Sequence, residues 1–227
     1  MPTLLLRLAA PLQAWGLDSK FEVRKTNREP TKSGVVGLLA AALGRKRDNQ
    51  EGLQRLNQLR FAVRVDQEGN LLTDFHMVRS EKTSYVTYRY YLEDAIFLAG
   101  LESKNRTILE ELEQALHYPA FPLFLGRRSC PPTLPLCLGI REKGLLETLS
   151  TEPWQGAERN REKNRKLRIL IDANPAEYGA VFQKDLPLSF HPVHRQYGYR
   201  NVRELEVALP QTLVWEETEH DPFAELE

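Results

Sequence analysis

Residues 31–34, with the sequence TKSG, combine one cation, two hydroxyl groups and a glycine directly in front of an apolar stretch. The N–H groups and the partial positive charge of a helix N-terminus bind phosphate, and a glycine lets a ligand approach the backbone. The pattern favours phosphate binding, although a capped helix behind a solvated basic loop also explains it, and no P-loop motif is present. The candidate ligands are Arg24, Lys25, Arg28, Thr31, Lys32, Ser33 and Gly34.

A second candidate is the loop sequence LGRRSCPP at residues 125–132, in which a glycine precedes two arginines and a serine. Arginine holds phosphate oxygens through parallel N–H bonds, so adjacent arginines on a loop favour binding of a polyanion. A loop that merely carries surface arginines is the alternative interpretation. The residues predicted to bind are Gly126, Arg127, Arg128 and Ser129.

A third candidate is a long hairpin predicted at about 71–101, where tyrosines alternate with arginines. A base stacked on an aromatic side chain contributes about 1–3 kcal/mol to single-strand binding. Strand alternation sends Tyr88 and Tyr90 to one face and Arg89 and Tyr91 to the other, so not all of them can be ligands. Aromatic residues in strands also pack into cores, which is the alternative.

Catalytic chemistry has weaker support. Residues 191–200, HPVHRQYGYR, hold two histidines, two tyrosines and two arginines. Such a group could support metal-free cleavage of RNA by general acid–base attack of a 2′-hydroxyl, but packing or polyanion binding is favoured. The sequence has no H-E-x-x-H, no cysteine and histidine spacing typical of zinc, and no G-x-S-x-G motif. We therefore predict no catalytic residue, no metal site and no cofactor.

The elements that position these residues follow the order β-α-β-β-α-β over residues 1–141. This order predicts an α+β fold of the ferredoxin-like or RRM-like class, with a hairpin longer than such a sheet needs. The predicted elements are a strand at 3–8, a helix capped by Thr31 or Ser33 and ending near Gly44, a half-buried strand at 61–65, extended segments at 71–78 and 85–101, a helix at 105–117 and a short strand at 135–140.

Residues 142–227 are predicted to form a second, β-containing part. It begins with a polar connector at 142–166 and includes strand candidates at 166–173, 179–190 and 202–209. The first part, residues 1–141, is the predicted RRM-like domain and includes the hairpin. The role of an acidic tail from Glu216 onward is left open.

The bulk composition excludes several classes of protein. The 227 residues hold 31 Lys plus Arg and 31 Asp plus Glu, so the total charge does not indicate a nucleic-acid partner, although residues 20–47 hold eight cations against two acids. The apolar opening is interrupted by Arg7 and Pro11, which argues against a secretory signal, and no run suits a membrane span. Two cysteines, Cys130 and Cys137, do not form a disulfide framework, so a cytoplasmic location is expected.

Taken together, these stretches resemble the CasD family, the CRISPR-associated Cascade subunit of type I-E systems in the RAMP superfamily. The stretches PTKSGVVGLL and LGRRSCPP are the specific ones, and YYLEDA is moderately specific. The matching stretches are LRLAAPLQAWG at 6–16, PTKSGVVGLLAAALGRKRD at 30–48, DFHMV at 74–78, YRYYLEDA at 88–95, LGRRSCPPTLPLCLG at 125–139 and RQYGYR at 195–200.

The resemblance implies a function as well as a fold. A member of this family would hold the 5′ handle of a mature crRNA at one end of Cascade. Its long hairpin would act as a thumb that passes between nucleotides and displaces a base near the junction of handle and spacer. The expected neighbours are CasC backbone subunits and the large subunit CasA, with target DNA contacted indirectly. No membrane partner is expected.

The resemblance also assigns roles to residues. It implies handle contacts by the candidate ligands at 24–34 and 126–129 already named. The residues it assigns to the thumb are His76, Arg79, Lys82, Tyr85, Tyr88 and Arg89. Relatives in type I-C systems cut precursor crRNA with tyrosine, lysine and histidine, and a metal-independent endoribonuclease is therefore the alternative function. Because no Lys-His pair occurs here, a subunit without catalytic activity is preferred, and a purely structural bridge is a third possibility.

Overall fold

The computed structural model describes residues 1–16, 22–80, 83–156 and 166–208. The strands are β1 Thr3–Ala9, β2 Leu12–Gln13, β3 Val23–Arg24, β4 Arg60–Gln67, β5 Asn70–Arg79, β6 Ser84–Glu93, β7 Ile96–Glu102, β8 Cys137–Arg141, β9 Lys166–Asp172, β10 Val181–Ser189 and β11 Gln196–Ala208. The helices are α1 Lys32–Ala42, α2 Gln50–Asn57, α3 Arg106–His117 and α4 Leu145–Thr151.

Seven of the strands form one sheet in the order β10-β11-β9-β4-β7-β1-β8, and each neighbouring pair is antiparallel. The predicted α+β class is thereby confirmed. Helices α1 and α2 lie in the chain between β1 and β4, and α3 lies between β7 and β8. The C-terminal strands extend the same sheet beyond β4, so the predicted boundary between 141 and 142 falls between elements that share this sheet.

Both faces of this sheet are covered. Residues of α1, α2 and α3 pack with Phe61 and Val63 on one face, whereas Leu145 and Leu149 of α4 pack with Ala62 on the other. The prediction that residues 61–65 form a half-buried strand is therefore wrong. Strand alternation still holds, but α4 covers the face that was expected to meet water.

Helix α1 forms where the sequence predicted it. Thr31 has extended backbone angles, and its hydroxyl accepts a hydrogen bond from the N–H of Gly34, as an N-cap residue does. Val35 and Leu39 are fully buried in the main core. Gly44 follows the C-cap and has φ of +69°, a conformation that favours glycine.

The predicted single strand at 85–101 is wrong, because the chain changes sheet at Asp94. Asp94 has φ of 54°, in the left-handed region. Strand β6 before it pairs with β5, β2 and β3 in a second sheet, whereas β7 after it lies between β1 and β4 in the large one. The hairpin is therefore β5–β6, residues 70–93, and it is separate from the core sheet.

The predicted polar connector at 142–166 contains α4, so that prediction is also wrong in part. Leu145 and Leu149 are buried, but Gly144 before them offers no side-chain cap, which removes the usual sequence signal. Residues 157–165, the thumb candidate Lys82 and the acidic tail from Glu216 lie outside the described residues. Among the helices that are described, none has the length and apolar character needed to cross a membrane.

Candidate nucleic-acid interface

Three segments from distant parts of the chain meet beside the second sheet. The N–H of Ala14 donates to the carbonyl of Leu125 at 3.1 Å, which joins the segment after β2 to the loop at 125–130. The N–H of Trp15 donates to Oγ1 of Thr26 at 2.8 Å, and the N–H of Asn27 donates to the carbonyl of Trp15. The basic segment at 22–28 and the arginine loop at 125–130 are thus both fixed to the same short piece of backbone.

Gly126 makes this meeting possible. Its φ is +86°, and a Cβ at this position would lie 1.6 Å from the carbonyl oxygen of Ala14. No other residue type avoids that overlap, because every one carries a Cβ. The glycine in the predicted motif therefore serves close approach of two backbones, and it sets the position of the two arginines that follow it.

Arg127 joins the arginine loop to the basic segment and to the hairpin. Its Nη2 donates to the carbonyl oxygen of Arg24 at 2.8 Å. Its guanidinium carbon lies 4.5 Å from the centroid of the Tyr91 ring, a cation–π distance. Strand β3 pairs in parallel with β6, with Arg24 opposite Arg89. The predicted arginine loop, basic segment and hairpin base are therefore neighbours in space.

The pKa of the Tyr91 hydroxyl is affected by these positive surroundings. Burial raises the pKa of Tyr91. Hydrogen bonds to Arg127 and Ser129, together with the charge of Arg127, lower it by more than burial raises it, so the net shift is downward. Two donor atoms here, Nη1 of Arg127 and Nε of Arg89, are buried without a hydrogen-bond partner among the described residues. Buried donors are normally satisfied, and an outside acceptor reaches these two atoms only if the side chains move.

Four cations surround this meeting point on the surface. Their side chains are exposed, and none of them has an ion-pair or hydrogen-bond partner among the described parts of the chain. They are Arg24, Lys25, Arg28 and Arg128. Gly126 and Ser129 are exposed beside them, whereas Arg127 is half-buried. A cluster of unpaired cations on one surface attracts polyanions.

The hairpin extends from this cluster. Its two strands pair over ten positions, from Asn70 with Glu93 to Arg79 with Ser84, but β2 and β3 reach β6 only at Glu93, Leu92, Tyr88 and Arg89. The outer half therefore has no further strand partner among the described residues. It carries exposed Arg79 and Tyr85, and its His76 lies 2.7 Å from Asp74. The exposed Tyr88 and the half-buried Arg89 lie further in, where β6 pairs with β3.

Sequence reasoning missed two residues of the hairpin. Phe75 is 66% exposed and Met77 is 68% exposed. Phe75 lies opposite Tyr88 and Met77 lies opposite Val86, so all four share one face. The alternation of β5 was the available signal, since it separates Phe75 and Met77 from the polar Asp74 and His76.

The N-terminus of α1 has different surroundings from those predicted. The N–H of Lys32 donates to Oδ2 of Asp185 at 2.8 Å, and its Nζ lies 2.9 Å from Oδ2 of Asp172 and donates to the carbonyl of Leu59. Arg200 joins both acids, with hydrogen bonds of 2.6 Å to each. A carboxylate of the chain itself thus occupies the position where a phosphate was predicted.

The three residues at this helix end are also inaccessible. Thr31, Lys32 and Ser33 are 1%, 5% and 6% exposed, and Gly34 packs against the ring of Trp15. RNA contact by these residues stays a prediction, and it would require the bonds of Lys32 to Asp172 and Asp185 to be given up. The arrangement instead gives Lys32 a structural role, in which it joins α1 to Asp172 of β9 and Asp185 of β10.

Other groups of reactive side chains lie elsewhere. The rings of His191 and His194 are stacked with centroids 5.8 Å apart, in the segment for which packing or polyanion binding was favoured over catalysis. Glu113, His117 and Cys137 have ligand atoms within 4.8 Å of one another and could hold a metal ion. Sequence spacing missed this second group because its cysteine follows its histidine by twenty positions and belongs to another element.

Comparison with known proteins gives this geometry a family. Residues 3–203 match the family described as CRISPR-associated protein (Cas_Cas5). The CRISPR system Cascade subunit CasD of Escherichia coli (strain K12) is 40% identical over 156 residues, which cover 60% of this chain and 70% of that protein. The chain therefore belongs to the CRISPR-associated Cas5 family. The resemblance to CasD that the motifs predicted is confirmed.

Two solved structures have the same fold. One is described as a crystal structure of a Cas protein; it is 38% identical, has a TM-score of 0.71, and the match covers 92% of this chain and 98% of that chain. The other is described as a CRISPR RNA-guided surveillance complex; it is 31% identical, has a TM-score of 0.78, and the match covers 93% of this chain and 92% of the other.

Proposed function

We propose that this chain is the non-catalytic subunit of a type I-E Cascade complex that holds the 5′ handle of the mature crRNA. The observation that carries the proposal is the convergence of the basic segment, the arginine loop and the hairpin base, joined by the hydrogen bond from Arg127 to Arg24. The surface of this cluster carries exposed cations that have no partner among the described residues. Such a surface suits the closely spaced phosphates of single-stranded RNA.

We further propose that β1, β4, β7 and β8 with α1 and α3 form a ferredoxin-like unit, which the strand order β4-β7-β1-β8 supports. The β5–β6 hairpin is then the thumb. The hairpin exposes Phe75, Met77 and Tyr88 on one face, and aromatic and apolar side chains of this kind insert beside bases. In this role the thumb displaces a base near the junction of handle and spacer.

The proposed neighbours are the CasC backbone subunits and the large subunit CasA, in the cytoplasm. Membership is supported by the 40% identical relative that is a Cascade subunit and by the surveillance complex with a TM-score of 0.78. Target DNA is reached through the crRNA and through those subunits.

The test is binding of a handle RNA to the Arg24→Ala, Arg128→Ala double variant at several salt concentrations. We expect weaker binding and a log–log salt slope that is smaller by about 0.7 for each lost phosphate contact. Arg106→Ala is the matched control, because Arg106 is also exposed but lies on α3, paired with Glu110 and Glu142. A double variant that binds handle RNA as tightly as the control would overturn the proposal.

Two further measurements separate this function from its rivals. Incubation of the protein with repeat RNA in EDTA should leave the RNA intact; a product with a defined 5′ handle would instead support the metal-independent endoribonuclease.

Replacement of residues 79–84 by Asn-Gly should keep the fold, because Val78 lies opposite Tyr85 and a two-residue turn can join them. That variant should bind handle RNA but lose crRNA-guided target binding in assembled Cascade.

A further inference from the structure

Three side chains with metal-binding atoms meet where the C-terminal end of α3 lies beside β8. Glu113 and His117 are four residues apart and so share one face of the helix. Cys137 is the first residue of β8 and is buried, with 9% of its surface exposed. The carboxylate oxygen, the imidazole nitrogen and the thiol sulfur all lie within 4.8 Å of one another.

The Cys137 sulfur lies at an irregular position of β8. Burial raises the pKa of the Cys137 thiol, and the backbone N–H of Gly139, two residues further along the strand, opposes part of that shift. Gly139 has φ of +88°, and the pairing of β1 with β8 shifts register here, between Leu5–Gly139 and Leu6–Cys137. An N–H donor beside the sulfur stabilises a coordinating thiolate from outside the ligand shell.

The carboxylate is also available. Glu113 has no hydrogen-bond or ion-pair partner among the described residues, although the Arg141 guanidinium is nearby. Arg141 is instead held by Glu152, with bonds of 3.0 and 2.6 Å, and by the carbonyl of Leu138. This neighbouring cation is thus already paired with Glu152, and Glu113 can direct its charge to a metal.

We propose that Glu113, His117 and Cys137 bind one divalent transition-metal ion of the zinc class. Thiolate, imidazole and carboxylate are all zinc ligands, and three protein ligands leave the fourth tetrahedral position to water. Zinc–ligand bonds of about 2.0–2.3 Å require the three atoms to approach by roughly 1 Å. The exposed His117 and half-buried Glu113 side chains make this adjustment by rotation. Binding displaces the thiol proton of Cys137, which passes to solvent.

The position of the site gives it a consequence for the chain between its ligands. His117 and Cys137 are the two ends of the segment that contains Gly126–Ser129. A bound ion would close residues 118–136 into a loop and so reduce the freedom of the arginine loop before any RNA arrives. The metal site would thus restrain the two ends of the loop segment, in addition to the contact of Gly126 with Ala14, and its existence does not depend on the proposed function.

Cobalt(II) added to the full-length protein is the direct probe, because a cobalt–thiolate bond has a charge-transfer absorption that the other ligands do not produce. We expect this absorption to saturate at one equivalent and to disappear when Zn²⁺ is added. It should be absent in Cys137→Ser and retained in Cys130→Ser, which removes the other buried cysteine. His117→Asn should weaken Co²⁺ binding by more than about 100-fold, since even outer-shell partners contribute 10–100-fold.

His117→Asn also protects the test against misfolding, because His117 is exposed and its replacement leaves the core intact. In the unsubstituted protein, Zn²⁺ should slow amide hydrogen exchange in residues 118–136, and in His117→Asn it should not. Absence of the charge-transfer absorption at one equivalent of Co²⁺, or its persistence in Cys137→Ser, would overturn the proposal. Slowed exchange in both proteins would do the same.

Discussion

The N-terminus of α1 and the arginine loop are made of the same residue types but have opposite surroundings. Lys32 at the helix end is 5% exposed and lies 2.9 Å from Asp172. Arg128 in the loop is exposed and has no ion-pair partner among the described residues. The acids that close the helix end come from β9 and β10, more than 130 residues later in the chain. A basic motif therefore identifies a binding surface only when the acids that fold against it are known.

The largest expected effect is a loss of stability at the N-terminus of α1, where Lys32 is enclosed by acids. Asp185→Ala removes the carboxylate that accepts from Lys32 and Arg200, and it leaves a buried guanidinium without one of its two partners. Breaking a buried charge pair costs about 3–5 kcal/mol, and we expect a loss of that size in the free energy of unfolding by urea. Arg128→Ala, the exposed counterpart, should change it by less than about 0.5 kcal/mol. Equal effects would contradict the contrast between the two regions.

The next effect concerns the contact that fixes the arginine loop at Gly126. Gly126→Ala and Gly179→Ala both place alanine at positive φ, +86° and +80°, but only the first meets another atom, the Ala14 carbonyl. The shared backbone cost is about 1–2 kcal/mol. Gly126→Ala should lose about 1–3 kcal/mol more in urea unfolding, because the loop must move away from Ala14. If the two variants lose the same stability, the close approach at Gly126 does not hold the loop in place.

A smaller effect separates the two cations directly. Arg128→Met should lower the log–log salt slope of handle-RNA binding by about 0.7, the value of one lost phosphate contact on a single strand. Lys32→Met should leave that slope unchanged and lower stability instead, because its charge is matched inside the protein. Fluorescence anisotropy at several salt concentrations measures both slopes. A reduced slope in Lys32→Met would mean that RNA opens the internal pairs, as the sequence-based interpretation requires.

The smallest effect tests the cap at the closed helix end. Thr31→Ala removes the hydroxyl that accepts from the N–H of Gly34 and should cost about 1 kcal/mol of stability. Thr31→Ser retains the acceptor oxygen and should restore most of that stability. Thermal unfolding of the three proteins checks the difference. An unchanged Thr31→Ala variant would show that packing of Gly34 on Trp15 alone fixes the start of the helix.

Much of the fold followed from local pattern. The buried strand β1, helix α1 with its cap at Thr31 and the three C-terminal strands were all predicted, because leucine runs, helical spacing and alternation report burial directly. The split at Asp94 was missed, because a long apolar and aromatic run gives no sign that a chain changes sheet. Helix α4 was missed because Gly144 provides no side-chain cap.

The candidate site was predictable in its residues but not in its bonds. The motifs identified Gly126 and Arg127, yet nothing local indicated that Gly126 contacts Ala14 or that Arg127 lies over Tyr91. The fully buried pair of Arg64 and Asp66 was likewise invisible, because alternating charges on a strand are typical of a solvated face. These features depend on contacts between residues far apart in sequence.

The closed helix end has a consequence for biosynthesis. Lys32 leaves the ribosome long before Asp172 and Asp185, the two acids that bond to it in the finished molecule. While translation continues, the ammonium group of Lys32 therefore has neither acid beside it and can attract cellular RNA. Completion of β10 and β11 removes that attraction. The two basic regions therefore differ in their attraction for RNA only after the C-terminal strands have joined the sheet.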